Sequence, residues 1–180
     1  ELIPLSPGRY VHTGGDEFTG DWDAYPVLTE WARERLGPDA NAHDAVLDFT
    51  NFVHDVVAAH GKTMRMWNDG AQGGAVLEAD TDIVLEYWSD QHGDVRAQEF
   101  LDRGYRLVNA NRDVLYDVPG VTPTWNNLDP RTITEDWDMG RWHDATAPNV
   151  TDPHAPGILG GQLHVWNDRP DAATEAQVAG

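Results

Sequence analysis

Apolar residues recur at Phe49, Phe52, Val53, Val56 and Val57, spaced i, i+3, i+4, i+7 and i+8. That period predicts a helix over 44–60 with one buried face, stopped by Gly61. The other apolar runs are short, and each ends in a polar turn, the pattern of a strand. Residues 10–13 run into Gly14-Gly15, 63–67 into Asn68-Asp69-Gly70, 83–88 into Ser89-Asp90, 106–109 into Asn111, and 160–166 into Asn167-Asp168. A second helix is expected over 94–103 with Gly104 as its stop, and another after the acidic loop at Asp21, closed by Gly37-Pro38. Between 114 and 156 no strong period holds, so a long loop with short helical pieces is expected there. Strand and helix otherwise alternate, which predicts a parallel sheet with helical crossovers.

The stretch Tyr10-Val11-His12-Thr13-Gly14-Gly15-Asp16-Glu17-Phe18 is a strand that breaks into a glycine pair and then two adjacent carboxylates. Alone, it reads equally well as a solvated turn or a helix cap. Gly14 to Phe18 also spells GGDEF, the signature of diguanylate cyclases. That domain needs a long upstream segment with a metal-binding Asp and a strand directly after the Phe. Here Phe18 leads into Thr19-Gly20-Asp21-Trp22-Asp23, which is no strand, so the context argues against a cyclase.

Repetition at the strand ends says more. Trp67-Asn68-Asp69, Trp88-Ser89-Asp90 and Trp166-Asn167-Asp168 each set an indole beside a carboxylate. Parallel strands present their carboxyl ends on one side, so these groups should converge with Asp16 and Glu17 on one cleft. Aromatic walls with carboxylates and amides between them suit a sugar, whose ring faces stack and whose hydroxyls need partners.

Composition narrows the partners. The 180 residues, 40% of them hydrophobic, suffice for one domain with a core, and eight tryptophans must line either that core or a cleft. A formal charge of −19 argues against nucleic acid and anionic membranes and for a neutral or cationic ligand. No run is long enough to span a membrane. Without cysteine there is no disulfide, thiolate metal site or cysteine nucleophile. His12, His54, His60, His92, His143, His154 and His164 show neither HxxxH nor HExxH spacing, so no metal or other cofactor is expected. Most of them read as surface residues. His12 differs, since it precedes the acidic pair, where an imidazole can steady a carboxylate. Asn149-Val150-Thr151 matches a glycosylation acceptor, a pattern too short to carry weight.

Taken together, these motifs resemble glycoside hydrolase family 20, the β-N-acetylhexosaminidases. His12-Thr13-Gly14-Gly15-Asp16-Glu17-Phe18 is similar to that family's HxGGDE signature. Met64 to Gly70, Tyr87-Trp88-Ser89, Leu107 to Asn111, Leu115-Tyr116 and Val165-Trp166 follow in the family's order and approximate spacing. Within the family, the pattern is similar to the branch that holds dispersin B-like poly-N-acetylglucosamine hydrolases and lacto-N-biosidases.

The resemblance implies an α/β fold, a (β/α)8 TIM barrel, of which residues 1–180 would hold the fourth to eighth strands of a single catalytic domain. The first three strands, with an arginine that grips the sugar, would lie upstream of Glu1, and the isolated piece would be poorly stable and inactive. Implied too is retaining, substrate-assisted hydrolysis of terminal β-linked N-acetylhexosamine through an oxazolinium ion. Glu17 would be the general acid and Asp16 would hold the substrate's acetamido group. Tyr116 would hydrogen-bond the acetamido carbonyl. Trp67, Trp88 and Trp166 would enclose the sugar, and His12 would support the acidic pair. Asp168 departs from the pattern, because many members carry a longer Glu there to hold the sugar's outer hydroxyls, and Asp69 is a further candidate, to orient the cleft. The implied partner is an N-acetylhexosamine-containing oligosaccharide or polysaccharide and the implied location extracellular. A lacto-N-biosidase or a poly-N-acetylglucosamine hydrolase of the same family is the nearest alternative, and a catalytically dead carbohydrate-binding relative the alternative from another class.

Overall fold

The computed structural model describes residues 3–18, 22–91, 95–120, 128–145, 147–166, 168–169 and 172–179. Its elements run β1 (Tyr10–His12), α1 (Pro26–Leu36), α2 (Ala42–Ala59), β2 (Thr63–Trp67), β3 (Val84–Tyr87), α3 (Ala97–Asp102), β4 (Arg106–Asn109), β5 (Tyr116–Asp117), β6 (Ile158–Gly161), β7 (His164–Val165) and α4 (Glu175–Ala179). Among these residues five strands form one all-parallel sheet in the order β1-β2-β3-β4-β6, and β5 pairs with β7, also in parallel.

Side chains alternate across a strand, so each strand divides its residues between two faces. Met64, Met66, Leu85, Tyr87 and Leu107 face one way and form the core with Leu47, Val57 and Phe100 from the helices. The opposite face carries His12, Arg65, Trp67 and Glu86, with His12 in register with Arg65 and Trp67 with Glu86. The polar face therefore lies on the side away from the helices.

A cap holds α2 in place. Asn41 accepts from the backbone N–H groups of His43 and Asp44, and Asp44 returns a bond from the Asn41 N–H, a reciprocal capping box. Asp44 is fully buried and also accepts from the N–H groups of Ala75, Val76 and Leu77, which ties the helix start to the loop after β2. Burial alone would raise its pKa, but these backbone bonds outweigh it and hold the carboxyl below its usual range. Asp44→Ala is expected to cost about 2–4 kcal/mol, since several N–H groups lose their acceptor at once, and a lower urea midpoint would report it. The sign follows from the lowered pKa. The stabilisation is complete above the ordinary carboxylate value of 3.8 and fades as pH falls through the lower folded value.

Several expectations change in three dimensions. Phe49 and Phe52 are 64% and 60% exposed, so the apolar stripe from 49 to 57 is not a single buried face. Leu47, Val53 and Val57 meet the sheet instead, because apolar positions cover a wider arc of α2 than the sheet can bury. The expected last strand, 160–166, is two strands. The Gln162 N–H still bonds to Asn109 O at 2.9 Å, but the His164 N–H bonds to Leu115 O at 2.9 Å, so the chain changes partner within three residues. Its new partner, β5, lies inside the segment expected to be a loop. Helix α3 begins at Ala97, and Asp94, its expected first residue, lies outside the described residues, as do His92 and Asn167. His143 and His164 are buried, not on the surface: each is enclosed by side chains from distant parts of the chain. Asn149 is buried as well, donating to the Tyr87 hydroxyl at 2.9 Å and His143 O at 3.0 Å, so the glycosylation pattern is a packing site.

Candidate active site

The acidic pair sits on a turn held from three sides. Beyond β1, the pairing with β2 continues through Thr13 N–H to Arg65 O at 2.9 Å and Trp67 N–H to Gly14 O at 3.0 Å. Gly14 and Gly15 then take φ of 77° and 91°, angles that strain any residue with a Cβ. A Cβ on Gly70 would collide with the Gly15 carbonyl, so the helical turn after β2 can press against this loop only with glycine there.

Glu17 is the one non-glycine residue with positive φ, 56°, among the described residues. Asp69 secures this strained conformation, since its Oδ2 accepts the Glu17 N–H at 2.7 Å. Oδ1 of Asp69 accepts the Trp88 indole N–H at 3.1 Å, so one buried carboxylate ties the acidic turn to an aromatic wall. Burial pushes the Asp69 pKa up, against the pull of the two hydrogen bonds. Next to it, Asn68 donates to Ser89 O at 2.7 Å and accepts the Trp88 N–H at 2.9 Å, which fixes the end of β3 against the end of β2.

Above this turn Asp16, Glu17, Trp67, Trp88, Tyr116, Val118, Trp166 and Asp168 line a cavity of about 300 Å³. Its size is at the small end for ligand pockets, and four of its eight lining residues are aromatic. Tyr116 stacks on Trp88 at 6.4 Å and 17°, lies 6.2 Å from Trp166, and takes a hydrogen bond from it. Burial first of all holds the Tyr116 hydroxyl well above the usual tyrosine range, so it is a neutral O–H donor at any ordinary pH. Arg112 lies 5.6 Å from the Trp88 ring centre, held by a bond from its Nε to His143 Nε2 at 3.0 Å, with His143 anchored on Asp90 at 2.7 Å.

The structure brings the seven sequence-predicted residues Asp16, Glu17, Trp67, Trp88, Tyr116, Trp166 and Asp168 to this one cavity. Asp69 and Asp90, expected on the same cleft, do not line it, because both are buried on partners, Asp69 on Glu17 and Trp88 and Asp90 on His143. His12 lies behind it, accepting the Gly14 N–H through Nδ1 at 3.1 Å and meeting Trp67 edge-on at 4.9 Å. Sequence reasoning did not identify Glu86 and His164, which sit beneath the walls, or Arg112. Glu86 left a signal, a lone charge inside the apolar run Ile83 to Trp88. Among the described residues His54, Asp80 and Asp82 bring possible metal-ligand atoms within 4.8 Å of one another, but at the amino end of β3, the far end from the cavity.

Solved structures with the same fold include dispersin B, with TM-score 0.63 and 23% identity over 88% of this chain and 45% of that one. The Vibrio harveyi GH20 exo-β-N-acetylglucosaminidase, solved with N-acetylglucosamine, has TM-score 0.64 and 22% identity over 92% of this chain and 25% of that one. The parallel sheet is accordingly part of a (β/α)8 barrel. In sequence, the chain is 29% identical over 173 residues to the lacto-N-biosidase of Bifidobacterium bifidum, covering 94% of this chain. It spans 15% of that protein's length and 29% of the Dictyostelium discoideum β-hexosaminidase subunit A1. Residues 1–178 match the model of the glycosyl hydrolase family 20 catalytic domain, and the chain belongs to that family.

Proposed function

We propose that this chain supplies the catalytic face of an enzyme that removes terminal β-linked N-acetylhexosamine from glycans by retaining, substrate-assisted hydrolysis. The observation that carries this is the adjacent pair Asp16 and Glu17 on one braced turn, opening into an aromatic cavity of about 300 Å³. Retaining glycosidases ordinarily use one carboxylate as acid and another as nucleophile, and family 20 is an exception. Here the substrate's 2-acetamido oxygen attacks the anomeric carbon while Glu17 protonates the leaving oxygen. Asp16 orients the acetamido N–H and stabilises the positive charge that grows on the oxazolinium ion, and the neutral Tyr116 hydroxyl donates to the acetamido oxygen. Glu17, now a carboxylate, then draws a proton from the water that opens the ion. Intramolecular attack brings a proximity advantage that reaches about 7–11 kcal/mol in favourable cases.

The rest of the barrel belongs to the same proposal. Beside β1 an apolar groove of about 510 Å³ runs between the strand and α2, lined by Phe18, Leu28, Val46, Phe49, Val53 and Met64 among others. We infer that earlier barrel strands of a longer protein cover it. An extracellular location also belongs here, because polymeric glycans do not cross membranes.

A second proposal is release of the disaccharide lacto-N-biose. The similarity to lacto-N-biosidase favours it, as does Asp168 at the cavity rim, one methylene shorter than a Glu. Hydrolysis of chromogenic N-acetyl-β-glucosaminide, N-acetyl-β-galactosaminide and β-lacto-N-bioside by the full-length protein separates the two. Turnover of a monosaccharide glycoside supports the first, and turnover of the lacto-N-bioside alone supports the second. Sugar binding without turnover would leave a carbohydrate-binding protein.

Asp69→Asn is expected to lower kcat by about 10- to 100-fold, because the amide presents a donor to one of two groups that both donate. Steady-state kinetics beside a melting curve would show the loss in kcat without unfolding.

A further inference from the structure

Beneath the cavity lies a cluster that the proposed mechanism does not use. Glu86 projects from β3 into the polar face of the sheet and is 2% exposed. A carboxylate so enclosed is costly unless it is paired. Arg65 Nε lies 2.7 Å from its Oε1 and donates from Nη2 to Gln162 Oε1 at 2.6 Å, so the guanidinium is clamped between β3 and the start of the β6–β7 crossing. Two histidines flank the same carboxylate, with His12 Nε2 3.5 Å from Oε1 and His164 Nε2 3.7 Å from Oε2.

Each histidine carries a different part of the site. His12 Nδ1 accepts the Gly14 N–H, so in the neutral ring the proton sits on Nε2 and faces Glu86. The backbone it grips is the start of the turn that bears Asp16 and Glu17. His164 is 9% exposed and packs under three cavity walls. Its ring stacks on Trp166 at 5.6 Å and 2°, and lies 5.2 Å from Trp67 and 5.1 Å from Tyr116. Burial first, then the nearby His12 and Arg65, depress the His164 pKa to about 4, so this ring too is neutral near pH 7. Oε2 of Glu86 and Nε2 of His164 are both sealed from solvent, and neither makes a hydrogen bond among the described residues.

We propose that Glu86 is a positioning residue that aligns the two halves of the site with each other, acting through His12 on the acidic turn and through His164 on the aromatic walls. One buried carboxylate then sets both where the acid sits and how the sugar is gripped. A displacement of about 1 Å at either half can cost about 100-fold in rate. The proposal rests on the function proposed above for what the two halves do in turnover, but not for their alignment.

The test uses the full-length protein with Glu86→Gln, His164→Phe and the two combined. His164→Phe keeps a flat ring under the walls and leaves no charge unpaired. Where Glu86→Gln fails to fold with Arg65 uncompensated, Arg65→Gln/Glu86→Gln removes both charges and takes its place. Near-ultraviolet circular dichroism of the tryptophan bands reads the wall arrangement without any reaction, and kcat and KM are measured on a disaccharide. Glu86→Gln should weaken the tryptophan signal, raise KM and lower kcat, with kcat/KM down about 10- to 100-fold. His164→Phe should raise KM with a smaller change in kcat. In its background Glu86→Gln should lower kcat but add nothing further to KM, because the route to the walls is already cut. Effects on KM that multiply, or a folded Glu86→Gln protein with wild-type dichroism and kinetics, would overturn the proposal. If the wild-type protein turns over no glycoside, the proposed function fails, while the dichroism of the same variants still decides the alignment.

Discussion

Glu17→Gln is expected to cut kcat on an N-acetyl-β-hexosaminide with a poor leaving group by about 100- to 10,000-fold, the range over which a positioned general acid contributes. Gln keeps the size and one acceptor but has no proton to give. The turn should survive, because the Asp69 bond that holds it goes to the backbone N–H of Glu17 and not to its side chain. KM and the melting temperature are therefore expected to stay near wild type. An aryl glycoside whose leaving group departs unprotonated should show a much smaller loss in the first step. A uniform loss on both substrates would mean that Glu17 does not protonate the leaving oxygen.

Asp16→Asn is expected to lower kcat by about 100- to 1,000-fold, the usual loss when one group placed against developing charge is removed. Two outcomes separate its role from that of a nucleophile. Azide should not restore activity, and no glycosyl azide of inverted configuration should form, because the attacking oxygen belongs to the substrate and is still present. Substrates lacking the 2-acetamido group should already be poor with the wild-type protein, and Asp16→Asn should change them little. Rescue by azide would instead make Asp16 the attacking group.

Much of this site was legible in the sequence because its members occupy equivalent places. Trp67, Trp88 and Trp166 each close an apolar run, and in a parallel sheet the carboxyl ends of all strands share one side, so the residue that ends a run reports its location. Asp16 and Glu17 were legible for the same reason, with the glycine pair marking where the strand stops. The supporting residues left little trace. Asp69 itself stood out as the carboxylate after Trp67, but that it reaches Glu17 across 52 positions, as His143 reaches Asp90 across 53, is something no local pattern encodes. His164 sits beside Trp166 in sequence, yet nothing local shows that its ring slides under Tyr116 and Trp67. Glu86 stood out only as a charge among apolar neighbours, and its partners come from three other stretches of chain.

The sequence by itself determined the alternation of strands and helices, the parallel sheet, and the convergence of carboxylates and indoles, since periodicity and chain direction are local properties. Tertiary structure alone decided which arc of α2 is buried, where the last strand changes partner, which histidines are enclosed, and that Glu86 joins them. A hydrophobic period states that a face is apolar but not what it meets, and a polar side chain is neutral, charged or paired according to neighbours that only folding brings within reach.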